Sequence, residues 1–138
     1  MTLNNSRVLV IGGAGFVGSY VVAELIQEPV REIVVLDNFV RGTKNNLHKA
    51  VQDDRVCIIE GSITDLELLS ELMQDTDYVF HLAALWLYEC VHQPRAALDV
   101  NVVGTYNVVE TALASWREES GLLLIGIGVR RCVVYPYD

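Results

Sequence analysis

Three spaced glycines and one carboxylate carry the clearest chemistry in this chain. The run Gly12-Gly13-Ala14-Gly15-Phe16-Val17-Gly18 follows the apolar segment Val8 to Ile11, and Asp37 closes the next apolar segment, nineteen residues after Gly18. Each glycine meets a separate demand of a strand-turn-helix unit that holds a dinucleotide. Gly12 or Gly13 lets the chain reverse tightly after the strand, Gly15 lets backbone approach a diphosphate, and Gly18 lets the helix pack closely on the sheet. No side chain is needed for the phosphates, because the unpaired N–H groups of the first helical turn and the positive end of its dipole form the anion site. Asp37 is placed to accept hydrogen bonds from the hydroxyls of the adenosine ribose. A nucleoside-triphosphate P-loop does not fit: Ser19 follows Gly18 directly, and no lysine stands there to reach terminal phosphates. An S-adenosylmethionine site, also built on a glycine turn and an acidic ribose ligand, stays open as an alternative, although its turn needs no Gly18.

The elements that must position these residues read as alternating strands and helices. Short apolar runs bounded by turns mark five strands buried on both faces: Val8 to Ile11, Ile33 to Leu36, Val56 to Ile59, Tyr78 to Leu82 and Cys132 to Tyr135. Helical patterns separate them over Phe16 to Gln27, Leu66 to Gln74 and Pro94 to Ser115. In the last of these Pro94 suits the first turn, and Leu98, Val102, Tyr106, Val109 and Leu113 form one apolar stripe for the core. Right-handed crossovers then predict an α/β doubly wound parallel sheet of order 3-2-1-4-5. Residues 38–50, rich in Asn, Gly and Lys, read as a loop with a helical turn that wraps the adenosine end.

At 138 residues the chain is one domain, able to bury about two thirds of its unfolded surface. A net charge of −8 argues against nucleic acid or an anionic membrane as partner, so any phosphate site must be local. Cys57, Cys90 and Cys132 are odd in number, unpaired in spacing and set in or beside apolar segments, which reads as reduced, buried thiols and a cytoplasmic location. No long apolar core precedes the first strand, and Leu122 to Val129 is far short of a membrane span.

With these segments in place, the chain resembles the NAD-dependent epimerase/dehydratase family of the extended short-chain dehydrogenase/reductase superfamily, whose members act on nucleotide sugars. The resemblance runs from Val8 to Glu110 and rests on the glycine turn, Asp37-Asn38-Phe39-Val40-Arg41-Gly42, Glu60-Gly61-Ser62-Ile63-Thr64-Asp65, and His81-Leu82-Ala83-Ala84 with Asp99-Val100-Asn101 and Gly104-Thr105. It implies a Rossmann-type fold with NAD as cofactor and a nucleotide sugar as substrate of the intact fold. It also implies that Phe16 and Val17 meet the diphosphate through their backbone and that Asp37 and Asn38 hold the adenosine ribose. Ser62 and Ile63 would border the adenine, Leu82, Ala83 and Ala84 the nicotinamide ribose, and Asn101 would brace the turn after strand four. Ser62 stands where family members usually carry Asp, which shifts the adenine contact to a hydroxyl or weakens it. The carboxylate of Asp37 repels the 2′-phosphate of NADP and favours NAD, although Arg41 lies close in sequence.

The family's acid/base pair is missing. A phenol with a pKa of about 10 works as a base at neutral pH only beside a cation, which the family supplies as a lysine four residues after the tyrosine. Here the residues four beyond Tyr20, Tyr78, Tyr88 and Tyr106 are Glu24, Leu82, His92 and Glu110, and the lysines are Lys44 and Lys49. The resemblance therefore implies a cofactor-binding part over residues 1–138 with an atypical tail from 115 to 138. Its sheet is truncated after strand five, the substrate domain is absent, and the chain alone is inactive. The strand edge Cys132-Val133-Val134-Tyr135 predicts self-association or a partner chain. A non-catalytic NAD-binding or sensor module and a fragment of a steroid- or flavonoid-type reductase are the alternative readings.

Other tempting residues have plainer explanations. His81 reads as a packed, hydrogen-bonded histidine, and Cys57, Cys90 and His92 lack zinc spacing. Trp86 and Tyr88 either pack or line a substrate path, Glu110, Glu118 and Glu119 are a solvated surface, and Arg130 and Arg131 point to water.

Overall fold

A computed structural model describes residues 3–115, 123–126 and 132–133, the last two stretches through their backbone alone. The expected placements of Glu118, Glu119, Arg130, Arg131, Val134 and Tyr135 lie outside the described residues.

Strands β1 (Arg7–Ile11), β2 (Glu32–Asp37), β3 (Val56–Glu60) and β4 (Tyr78–His81) pair in parallel. Their side chains alternate between two covered faces, which is why the sequence shows continuous apolar runs rather than a two-residue period. Val8, Val10, Ile33 and Val35 pack with Val22 and Leu25 of α1 (Phe16–Leu25), and with Leu47 and Ala50 from two short 3-10 turns. Leu9, Ile11, Val34 and Leu36 pack on the other face against Leu69, Leu72 and Met73 of α2 (Leu66–Met73). Asp65 starts α2 by accepting the Leu68 N–H at 3.1 Å, a side-chain cap for one of the helix's orphan donors.

After β4 come α3 (Leu87–His92) and α4 (Pro94–Leu98), then a π-helical stretch (Asp99–Gly104) and α5 (Thr105–Ser115). The helix expected over Pro94 to Ser115 is present, with the π stretch inside it, but its apolar stripe is turned the other way. Leu98, Val102, Tyr106 and Leu113 face water and Val109 is half-buried, while Gly104, Asn107, Val108, Thr111 and Ala112 are buried. Close approach decides the face: a Cβ on Gly104 would lie 2.6 Å from the Ile63 side chain, so the helix seats its smaller residues inward and leaves the larger apolar ones outside.

The sheet order is β3-β2-β1-β4-β5-β6, which contains the doubly wound order expected from the crossovers. The fifth place belongs to β5 (Leu123–Gly126), parallel to β4, and not to Cys132–Tyr135. Cys132–Val133 forms a two-residue β6 that pairs antiparallel on the outside of β5. The apolar run beginning at Leu122 is long enough for a strand bounded by Gly126, which is the signal the segment count passed over. Cys57 is also corrected: β3 lies at the opposite sheet edge, where neither helix layer fully covers it, and the thiol is exposed. Cys90 is partly buried. No helix of the described residues is long and apolar enough to cross a membrane.

Candidate functional site

Strand register builds the site. Ile11 stands opposite Leu36 on one side and His81 on the other, so Gly12, Asp37 and Leu82 come side by side at the carboxyl end of the sheet. This is the point where the chain order reverses on either side of β1, and a crevice opens there beyond the carboxyl ends of the strands. Gly12 makes the turn: its φ is +81°, and a Cβ on it would sit 2.6 Å from the Ala83 nitrogen. Between Gly12 and Gly13, the two glycines the sequence left open for this reversal, Gly12 therefore holds the left-handed position. Gly13 packs on Val35, and Gly18 sits so close behind the turn that a Cβ would fall 2.1 Å from the Gly12 oxygen.

Gly15 differs from these three. It precedes α1, no side chain caps the helix's first turn, and a Cβ on Gly15 would meet only the Gly12 oxygen, at 3.2 Å. The leading N–H groups of Phe16, Val17 and Gly18 have no acceptor within the helix, and Gly15 lines the cleft with, apart from that oxygen, open space where a side chain would stand, which fits a diphosphate. The Phe16 and Val17 side chains are exposed, so a ligand there would be met by their backbone.

Asp37 is buried and anchored twice. Ala14 N–H donates to Oδ2 and Phe39 N–H to Oδ1, each at 2.9 Å. Two backbone donors leave a carboxylate with further acceptor capacity for ribose hydroxyls. Around it, Gly12, Gly15, Asn38, Leu82, Ala83 and Ala84 line one cleft, joined by Val40, Arg41, Gly42, Leu85 and Val100. A narrower recess continues from it past Gly61, Ser62 and Ile63, with Leu36 at its floor. The Ser62 hydroxyl lies 2.8 Å from that of Thr64 and accepts the Thr64 N–H.

Asn101 lines neither hollow and works from behind. It lies in the π stretch, where its Oδ1 accepts the Leu85 N–H at 2.7 Å and its Nδ2 donates to the Leu85 carbonyl at 2.8 Å. Such irregular turns inside a helix re-aim a side chain, and this one holds the loop after β4. Next to it, His81 is buried with Nε2 3.0 Å from the Thr105 hydroxyl, while among the described residues Nδ1 has no partner. Desolvation lowers its pKa from the ordinary 6.5 and favours a neutral ring, the packed histidine expected from the sequence.

Reasoning from sequence singled out Gly12, Gly15, Asp37, Asn38, Leu82, Ala83 and Ala84 but gave no lining role to Val40, Gly42, Leu85 and Val100, and weighed Arg41 only for cofactor choice. All of these but Leu85 sit inside the quoted runs, so position in the run was the available signal. Trp86 and Tyr88 are exposed; the Arg41 guanidinium lies over Trp86, and the tilted rings of Tyr88 and His92 meet at 4.2 Å. A larger concavity at the other end of the sheet is walled by Arg7, Glu32 and Asp77. There Arg7 is already engaged by Glu32, Thr76 and the Leu72 and Gln74 carbonyls. Among the described residues no cluster of three or more His, Cys, Asp or Glu could hold a metal.

Known proteins resemble this chain in sequence and in fold. The sequence model of the "NAD dependent epimerase/dehydratase family" matches residues 8–124. UDP-glucuronic acid decarboxylase 6 of Arabidopsis thaliana is 35% identical over 112 residues, covering 79% of this chain and 31% of the relative. The dTDP-glucose 4,6-dehydratase of Mycobacterium tuberculosis is 36% identical over 107 residues, covering 75% of this chain and 32% of the relative. The Bordetella bronchiseptica enzyme WbmF, solved in complex with NAD+ and also with NAD+ and UDP, superposes with a TM-score of 0.77 at 35% identity. That match covers 88% of this chain and 36% of WbmF. The chain spans about a third of the length of the curated relatives it matches.

Proposed function

The chain belongs to the NAD-dependent epimerase/dehydratase family, and from that membership we propose that it is the NAD-binding part of an enzyme acting on a nucleotide sugar. One observation carries the reading: a buried carboxylate, Asp37, is fixed by the same turn whose Gly15 leaves an open cradle at the start of α1. In this reading Gly12, Gly15, Phe16, Val17 and Gly18 serve the diphosphate, and Asp37 and Asn38 take the adenosine ribose. Ser62 and Ile63 border the adenine, and Leu82, Ala83 and Ala84 border the nicotinamide ribose. Asn101 keeps the loop after β4 in place. Bound NAD supplies a nicotinamide that accepts and returns hydride. NAD is preferred to NADP because a 2′-phosphate at that ribose would face the Asp37 carboxylate.

The substrate class follows the relatives, which include enzymes named for UDP- and dTDP-linked sugars. The 138 residues contain no tyrosine followed four positions later by lysine. We therefore expect this chain to bind cofactor without turning over a sugar nucleotide. Titration calorimetry with NAD, paired with chromatographic detection of any sugar-nucleotide product formed from UDP-glucuronic acid or dTDP-glucose, tests both halves. Absence of any NAD heat from folded protein removes the binding role, and turnover by the purified chain removes the inactivity.

A further inference from the structure

Arg41 and Trp86 come from loops that leave different strands, β2 and β4, and they meet beside the cleft. The Arg41 guanidinium carbon lies 4.3 Å from the centroid of the Trp86 ring. Arg41 also lines the cleft together with Gly12, Gly15 and Asp37. Arg7, Arg55 and Arg95 each have a carboxylate within ion-pair distance, whereas among the described residues Arg31 and Arg41 have none, and of these two Arg41 lines the cleft. In a chain of net charge −8, a guanidinium without a carboxylate at the rim of a cleft offers its charge to an incoming anion. Stacking on the half-exposed indole restrains a long side chain before any ligand arrives, which reduces the ordering cost of a later contact.

A dinucleotide presents two kinds of phosphate: the diphosphate common to NAD and NADP, and the 2′-phosphate of NADP alone. The surroundings of Arg41 separate them. Gly42, its neighbour, packs so tightly on Asp37 that a Cβ there would lie 2.9 Å from Oδ1. A 2′-phosphate would therefore enter against a fixed carboxylate, whereas a diphosphate at Gly15 lies at the N-terminus of α1, where the first-turn N–H groups have no partner within the helix. Deepening the dinucleotide reading above and resting on it, we propose that Arg41 is a binding residue for the diphosphate, held over the cleft by Trp86 until the phosphates take its guanidinium.

The test is calorimetric binding of NAD, NADP, ADP and adenosine to the full chain as wild type, Arg41→Gln, Arg41→Lys and Trp86→Leu. Arg41→Gln is expected to weaken NAD and ADP by about tenfold or more, the scale of a charge-assisted hydrogen bond, and to leave adenosine unchanged. Arg41→Lys recovers part of the loss, and Trp86→Leu weakens the same two ligands by a smaller factor. Rising salt should erode NAD affinity in the wild type more than in Arg41→Gln. Equal loss of adenosine and ADP would overturn the assignment in favour of a structural role. Loss confined to NADP would overturn it in favour of a 2′-phosphate contact. A wild type that binds none of the four ligands removes the dinucleotide reading and this proposal together, and the wild-type titrations alone identify that case.

Discussion

The Ala14 N–H donates to Oδ2 of Asp37 across 2.9 Å of buried space, so the turn after β1 and the end of β2 hold each other in register. A ligand that uses both the turn and the carboxylate meets a surface organised before it arrives. Asp37→Asn retains one side-chain oxygen but removes the charge, and Asp37→Ala leaves the Ala14 and Phe39 N–H groups without acceptors. The alanine variant should lose about 1–3 kcal/mol of stability, the cost of orphaned buried donors, and the asparagine variant less. Both should raise the Kd for NAD by about tenfold or more through the lost charge-assisted contact to ribose. Urea melts and calorimetry measure the two effects separately, and an Asp37→Asn protein with wild-type NAD affinity would contradict the ribose role.

The glycines should divide into two classes. Gly12→Ala places a side chain at φ +81° against the Ala83 backbone, and Gly18→Ala drives one into the Gly12 oxygen. Each should cost about 1–3 kcal/mol or prevent folding, because backbone atoms cannot yield as a side chain would. A Cβ at Gly15 meets a single oxygen at 3.2 Å, so Gly15→Ala should fold with a loss below about 1 kcal/mol while NAD binding falls. Thermal melts with and without NAD distinguish the classes. Unimpaired NAD binding by Gly15→Ala would show that no diphosphate uses that cradle.

How much of this was legible beforehand depended on whether local steric rules or tertiary fit decided the outcome. Gly12, Gly15, Gly18 and Asp37 could be placed because a strand-turn-helix has few solutions and each residue type answers one of them. Helix α3 lay hidden because Trp86-Leu87-Tyr88-Glu89-Cys90-Val91 has no core-facing period, and its large apolar residues remain exposed. Nor could periodicity foretell the π stretch, which Asn101 uses to reach Leu85 from inside a continuous helix. Arg41 over Trp86 joins residues 45 positions apart, a pairing that depends on β2 and β4 flanking β1.

Asn101 acts on the site through Leu85, and its substitution should show that indirectness. Asn101→Ala breaks both hydrogen bonds to the Leu85 peptide, and Asn101→Asp replaces the Nδ2 donor with a second acceptor facing the Leu85 carbonyl. Stability should drop by about 1–3 kcal/mol in either variant. NAD binding, for which Leu82 to Ala84 on the same loop are proposed contacts, should weaken, whereas adenosine affinity stays at the wild-type level. Hydrogen exchange at residues 83–86 gives the direct readout: unchanged protection there would mean that the brace does not hold the loop.

His81 should give stability a specific dependence on pH. Burial lowers its folded pKa below the ordinary 6.5, so on acidification the unfolded chain takes up a proton first. Stability then rises with pH wherever the unfolded state binds more protons. The histidine's contribution is whole above pH 6.5 and is lost progressively as the pH falls from there toward its depressed folded value. Carboxylates titrate in the same acid range, so the comparison must be made against a variant. Between about pH 7.5 and about pH 5.5, His81→Gln should lose less stability than the wild type, since its amide cannot take up the proton. Identical pH slopes in the two proteins would show that the ring is no more buried in solution than in an unfolded chain.

The outward stripe of the α4–α5 helix supplies the sharpest test of which face packs. Leu98, Val102, Tyr106 and Leu113 look like a core seam by spacing, yet they are 47%, 57%, 63% and 47% exposed. Val108 and Ala112, on the opposite face, are sealed against Leu69 and Met73. If water already reaches the stripe, Leu98→Glu and Val102→Lys remove little buried area and should change stability by no more than about 0.5 kcal/mol. They should also raise solubility, because a contiguous apolar patch is being broken. Val108→Ala removes two methyl groups from a packed layer and should cost roughly 1–2 kcal/mol, and Val108→Glu should prevent folding by burying a charge. Chemical denaturation of the four variants ranks the faces directly. A Leu98→Glu protein as damaged as Val108→Glu would mean that the stripe, and not the small-residue face, meets the sheet.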